Sequence, residues 1–197
     1  MSLHFRLEVV SNHDHILQVS LERFAHQGIA HTTIQDVADH AGSSKANVLY
    51  HFHNKNHLVD VALAPALEAL SALLERSNES ATHDAGSRRV FIDNFVDFLI
   101  NHRLATHIIV AHPYLAEESK SLGRAHQLMA QMAEMVGEMT DGEEDRLRFG
   151  IAVSGATYAL VSSGILGVPG LDDEAAREGL REVLGQMLRL EQPEASR

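Results

Sequence analysis

The sequence predicts an all-α protein of about nine helices. Apolar residues recur at helical spacing along almost the whole 197-residue chain. Strand signals are nearly absent, with no sustained period-two alternation and no Asn-Gly or Asp-Gly hairpin. Gly, Pro, Asn and Ser fall between the periodic stretches, where helices should end and begin. Apolar residues make up 45% and charged residues 22%, which supplies a core and argues against disorder. There is no cysteine, which excludes a disulfide framework, a thiolate zinc site and a Cys nucleophile.

The first helix is expected from about Asp14 to Gln27, closed by Gly28. The second starts at Thr32–Thr33, a natural N-cap, and ends at Gly42. Its residues Ile34, Val37, Ala38 and Ala41 fall on one buried face. The third is short, from Ser43–Ser44 to Tyr50 or His51. Asn54 caps a long fourth helix carrying Leu58, Val61, Ala62, Leu67, Leu70 and Leu74, with Pro65 inside it. A proline there removes one backbone hydrogen bond, so a bend is expected, and with it a hinge. Residues 77–87 read as a turn. Helices follow over 88–101, 103–112, 117–139, 143–164 and from 172 onward, the last fraying at Pro193. Pro113, Asp141–Gly142 and the stretch Gly167–Gly170 separate them.

Charge divides the chain in two. The total is −11, yet residues 1–58 carry only −1 and hold nine of the 14 histidines. The first region can therefore gain positive charge below pH 7, in an otherwise acidic protein. The boundaries expected are 1–58 and 59–197.

The spacing of the second and third helices, over 33–52, is that of a helix-turn-helix. Packing Ile34, Val37 and Ala38 against Phe24 and Val48 would leave the third helix presenting Lys45, Ala46, Asn47, Leu49, Tyr50 and His51. Such a face suits the major groove. Lysine reads guanine or meets phosphate, asparagine pairs with adenine, and an alanine methyl meets thymine. Thr33 and Ser44 offer hydroxyls at helix N-termini, and Lys55 a charge, all suited to phosphate.

The stretch Ile16–Val61 resembles the TetR/AcrR transcriptional regulators. The resemblance rests on Thr32-Thr33-Ile34-x-Asp36-Val37-Ala38-x-x-Ala41-Gly42, on Ser44-Lys45-Ala46, and on Val48-Leu49-Tyr50-His51-Phe52-x-Asn54-Lys55-x-x-Leu58; Phe24 and Gly28 also fit. It implies a repressor that binds palindromic operator DNA as a homodimer and is released by a small-molecule effector held in a second, helical domain. It departs at Leu49, where members often carry a tyrosine, and at Asn56 and His57, which are often acidic. Leu49 and the net charge keep an alternative open, a ligand-binding protein of the same fold with a vestigial DNA-binding domain.

The face Phe91, Phe95, Phe98, His102 and the series Met129, Met132, Met135, Met139 read first as core. A Phe- and Met-lined cavity with a few polar groups also holds apolar ligands. The effector candidates are Phe95, Phe98, His102, His107, Tyr114, Met129 and Met132. Small residues such as Gly150, Gly155 and Ala159, followed by an amphipathic last helix, suit a dimer interface over 143–164 and 173–190.

No metal or cofactor is expected. His13/His15 and His51/His53 are two apart, about 200° around a helix; His102, His107 and His112 are five apart, about 140° per step. His53 and His57 have the right spacing, but Asn54 caps the helix between them. No GxSxG, Walker loop or HExxH is present, so an enzyme is not expected. No apolar run approaches the ~18 residues of a membrane span, and the N-terminus lacks signal-peptide character, so the expected location is the cytoplasm.

Overall fold

The structure is a computed structural model that describes residues 12–79, 85–111, 119–138, 143–162 and 172–187. Among the described residues there are nine α-helices and no strand. They are α1 (Asn12–Gln27), α2 (Ile34–His40), α3 (Lys45–Phe52), α4 (Lys55–Glu79), α5 (Ala85–Asn101), α6 (Arg103–Ala111), α7 (Lys120–Glu138), α8 (Glu143–Val161) and α9 (Asp173–Met187). The expected turn over 77–87 is shorter than the sequence suggested, because α4 runs to Glu79 and α5 starts at Ala85. Pro113, Asp141–Gly142, Gly167–Gly170 and the tail from Pro193 lie outside the described residues.

Helix α4 is the spine. Its buried residues Leu58, Val59, Ala62, Leu63, Ala66, Leu67, Leu70, Leu73 and Leu74 repeat at three- and four-residue intervals and form one face. It packs on α1 and α3 at its start and on α5, α6 and α7 beyond. By length and composition α4 could cross a bilayer, which corrects the expectation that no stretch approaches a span; its best window has mean hydropathy 1.5. Half of that window is buried inside the protein, as in the core helix of a globular fold. α4 runs through Pro65 as a single helix. Buried side chains from all nine helices join in one cluster, so both ends of the molecule share a continuous core.

Two polar devices orient the helices around α4. Asp60 accepts hydrogen bonds from Ser119 Oγ at 2.7 Å and Ser121 N at 3.0 Å. Ser119 Oγ in turn accepts from Leu122 N at 3.3 Å, so the start of α7 is capped and tied to α4. On the far side, α9 is aligned by Arg177–Asp97, Arg181–Asp93 and Arg103–Asp173, each at 2.7 Å. Such partly exposed pairs contribute about 0–1 kcal/mol each, so they set register more than stability.

The turn between α3 and α4 stores strain. His53 sits at φ 58 and ψ −49, and Asn54 N donates to Phe52 O across it. This is a γ-turn with a positive central φ, rare for a residue with a Cβ and costing on the order of 1–3 kcal/mol. Glycine would remove the strain at an entropic cost of about 0.5–1 kcal/mol. His53→Gly is therefore expected to raise stability by about 1 kcal/mol in urea denaturation. An unchanged or lower midpoint would show that no strain resides there.

Candidate nucleic-acid interface

Helices α2 and α3 are both capped by their own sequence. Thr33 Oγ1 accepts from Asp36 N at 3.1 Å, and the Asp36 carboxylate accepts from Thr33 N at 2.8 Å, a capping box. The Thr33 hydroxyl also donates to Asp36 at 2.6 Å. These bonds from Thr33, the side-chain one first, hold the Asp36 carboxyl below its ordinary pKa of 3.8. Ser44 Oγ accepts from Asn47 N at 3.1 Å and caps α3.

Between the two helices the chain turns within four residues. Ser43 N donates to Ala38 O at 2.8 Å and Gly42 N to Asp39 O at 3.3 Å, the paired bonds of a Schellman stop. Gly42 has φ 59, and a Cβ there would meet nothing within 4 Å. The dihedral, not crowding, therefore demands glycine.

Val37 and Ala38 of α2 and Val48 and Phe52 of α3 are buried with Ile16, Val19 and Phe24 of α1. That fixes which side of α3 faces out. Ser44, Lys45, Ala46 and Tyr50 are exposed, Tyr50 at 78% of its surface. Thr33 is exposed as well. Asn47, Leu49 and His51 are half-buried, so the face is narrower than the sequence suggested. Asn47 Nδ2 donates to Ser43 Oγ at 2.9 Å, which orients the amide. Lys55 is half-buried and its Nζ donates to Ala30 O at 3.3 Å, closing the loop before α2. The Thr33 hydroxyl proton goes to Asp36, whereas Ser44 accepts in its cap and keeps its own proton to donate.

One neighbour of α3 is not legible from the motif. His13 of α1 places its ring 4.9 Å from Phe52 and 5.7 Å from His51. It walls the C-terminal end of α3 from one side. His57 Nδ1 donates to Phe52 O at 2.8 Å, and the His57 ring stacks on His53 at 5.3 Å. Among the described residues no three His, Asp or Glu side chains are grouped to hold a metal ion.

Among the described residues the effector candidates fall at several places in and around the core. Phe95, Phe98 and Met132 are core residues, and Met129 packs partly buried against that core. Phe95 and Phe98 stack at 6.2 Å and Phe98 meets His102 at 5.4 Å, a ladder along α5 that fills space. The His107 ring is 6.3 Å from Tyr158 of α8. Tyr114 lies outside the described residues. His102 instead lines a cleft between α1, α4 and the turn into α6.

Partial burial pushes the His102 imidazole below its ordinary pKa of 6.5. A depressed folded-state pKa gives stability that is full above the unfolded value and is lost as pH falls through the folded one. The melting temperature should therefore fall on acidification below about 6.5, and His102→Gln should lessen that fall. An identical pH profile in the variant would remove His102 as a cause.

Residues 16–62 match the family model described as bacterial regulatory proteins, tetR family. The HTH-type transcriptional repressor KstR2 of Mycolicibacterium smegmatis is 32% identical over 72 residues, 36% of this chain and 35% of that one. KstR2 of Mycobacterium tuberculosis is 34% identical over 65 residues, 33% of this chain and 32% of that one. The chain thus spans about a third of the length of the curated relatives it matches. Over nearly the full length the fold is similar to solved structures. The ketosteroid transcriptional regulator KstR2 of Mycobacterium tuberculosis superposes with TM-score 0.64 at 17% identity, covering 92% of this chain and 95% of that one. The regulator PfmR of Thermus thermophilus gives 0.56 at 21% identity, covering 92% and 97%. The capped helix-turn-helix over residues 16–62 is thus that of the tetR family model of bacterial regulatory proteins, and the fold built onto it is similar to the fold of these solved regulators.

Proposed function

We propose that the chain is a one-component transcriptional repressor that binds palindromic operator DNA as a homodimer and is released by a small molecule. One observation carries this reading. Capping and burial hold α3 so that Ser44, Lys45, Ala46 and Tyr50 stand together in solvent, at the side that a helix-turn-helix offers to the major groove. The matched relatives are repressors, which supports the same direction. In this reading Lys45, Ala46, Asn47 and Tyr50 reach bases, with Leu49 and His51 flanking them. Ser44, Thr33 and Lys55 stand near phosphates. Residues 1–58 form the reading head and 59–197 the effector and dimer region.

Two copies would pair through α8 and α9. Leu147, Ile151 and Tyr158 of α8 and Val183 of α9 are large apolar residues left exposed in the single chain. Pairing would set two α3 helices in successive major grooves about 34 Å apart. An effector held among α5, α6 and α7, beside Phe98, His107 and Met129, would act by preferring one spacing of the reading heads. Pro65 serves as the hinge of that change: Pro65→Ala should blunt effector release at unchanged fold, and an unchanged response would end that role.

The test is a mobility shift on the gene's own upstream DNA with non-specific competitor, at about 50 and about 200 mM salt. A specific complex that weakens steeply with salt supports the proposal. Failure there and in selection from random DNA would overturn it in favour of a ligand-binding protein with a vestigial reading head.

A further inference from the structure

A cleft of about 520 Å³ opens where the reading head meets the rest of the molecule. Its size lies within the range of small-molecule sites, about 300–1,000 Å³. One wall is α1, with Leu21 and Glu22; the other is α4 and the start of α6, with Ala62, Pro65, Ala66 and Ala105. Three buried alanines make the room: Ala62, Ala66 and Ala105 stop short of α1 where larger side chains would close the gap. The floor is therefore apolar. The polar groups stand higher, with Glu22 and His26 exposed at the mouth and His102 half-buried.

The lining holds one carboxylate, Glu22, and one guanidinium, Arg103. Among the described residues Arg103 is the only Lys or Arg lining the cleft, and its guanidinium already meets Asp173 at 2.7 Å and the Ile100 carbonyl at 3.2 Å. His102 is held toward its neutral form by burial. The Glu22 carboxylate is met by the neutral Gln18 amide at 2.9 Å, a contact that leaves its charge in place.

We propose that this cleft binds a small amphiphilic cation, with its apolar body on the alanine floor and a protonated amine at Glu22. The site is separate from the Phe95–Phe98–Met132 core, since none of those residues lines it. It does not depend on the chain binding DNA. If the chain does, an occupant touching α1 and the turn into α6 at once would brace the reading head against α4.

The probe is phenylbutylamine, an aromatic body on a flexible amine, titrated into the full chain and followed by amide-resolved NMR and calorimetry. Phenylbutanol and phenylbutyrate are the neutral and anionic controls. The expected result is saturable binding with shifts confined to residues near 18–26, 62–66 and 101–105. The amine should bind about three- to fivefold tighter than the alcohol, the scale of an exposed ion pair, and the acid most weakly. Glu22→Gln is an exposed change that leaves the fold intact, and it should erase the preference for the amine. Equal binding of all three probes, a preference that survives Glu22→Gln, shifts centred elsewhere, or no saturable binding would each overturn the proposal.

Discussion

Tyr50→Ala is expected to weaken operator binding by about a hundredfold while leaving the melting temperature unchanged. The two halves of that outcome come from one fact. Tyr50 is 78% exposed on α3, beside a His51 ring 5.3 Å away, and contributes little to the core. In the proposed reading this aromatic stands on the groove-facing helix and spends its surface on a partner. A side chain that reaches bases contributes about 1–3 kcal/mol, and a twofold dimer loses it in both half-sites. Two losses near 1.4 kcal/mol multiply to about a hundredfold. Lys45→Ala makes the contrast. If Lys45 meets phosphate, its loss should weaken all DNA alike and reduce the salt slope by about 1 per lost contact. Fluorescence anisotropy on operator and scrambled DNA at several salt concentrations separates the two. Unchanged operator affinity in Tyr50→Ala would place the tyrosine outside the interface, and a large fall in melting temperature would make it a packing residue.

The reading head was legible because its signals are local. Thr33 and Ser44 cap within three residues of themselves, Gly42 acts through its own dihedral, and the Ile34–Ala41 face repeats at helical period. What was not legible acts across the chain. His13 lies 38 positions before His51, and nothing in either neighbourhood marks the pairing of their rings. Lys55 reads as a phosphate ligand because it opens a helix, and the sequence does not show that its amine also reaches back 25 residues to Ala30. The half-burial of Leu49 and His51 follows from how neighbouring elements pack around α3, which periodicity does not encode. In the second region the Phe91–Phe95–Phe98 face reads as core and is buried, because burial follows from spacing. The cleft beside it was invisible. It exists because Ala62 and Ala66 of α4 share one wall with the distant Ala105 of α6, and a single alanine on a helix carries no signal of what stands opposite.

The second large effect is expected at Gly155. On α8, Leu147, Ile151, Gly155 and Tyr158 succeed one another at four- and three-residue steps, so they line one side of the helix. That side is open in the single chain: Leu147 is 68% exposed, and a Cβ at Gly155 would meet nothing within 4 Å. Nothing inside one chain therefore opposes a large side chain at 155, and replacing a helical glycine favours the helix by up to about 1 kcal/mol. A paired interface gives the opposite sign. Two arginines brought toward each other across a twofold axis, without partners, cost on the order of several kcal/mol per subunit. Gly155→Arg should thus keep its helical circular dichroism, sediment at the mass of one chain, and lose cooperative binding to a full palindrome. Two half-sites bound by separate chains lack the gain in effective concentration that pairing provides, so operator affinity should fall to that of a half-site. Sedimentation decides the matter independently of DNA. A variant that still sediments as a dimer would move the interface off this face of α8, whatever its effect on operator binding.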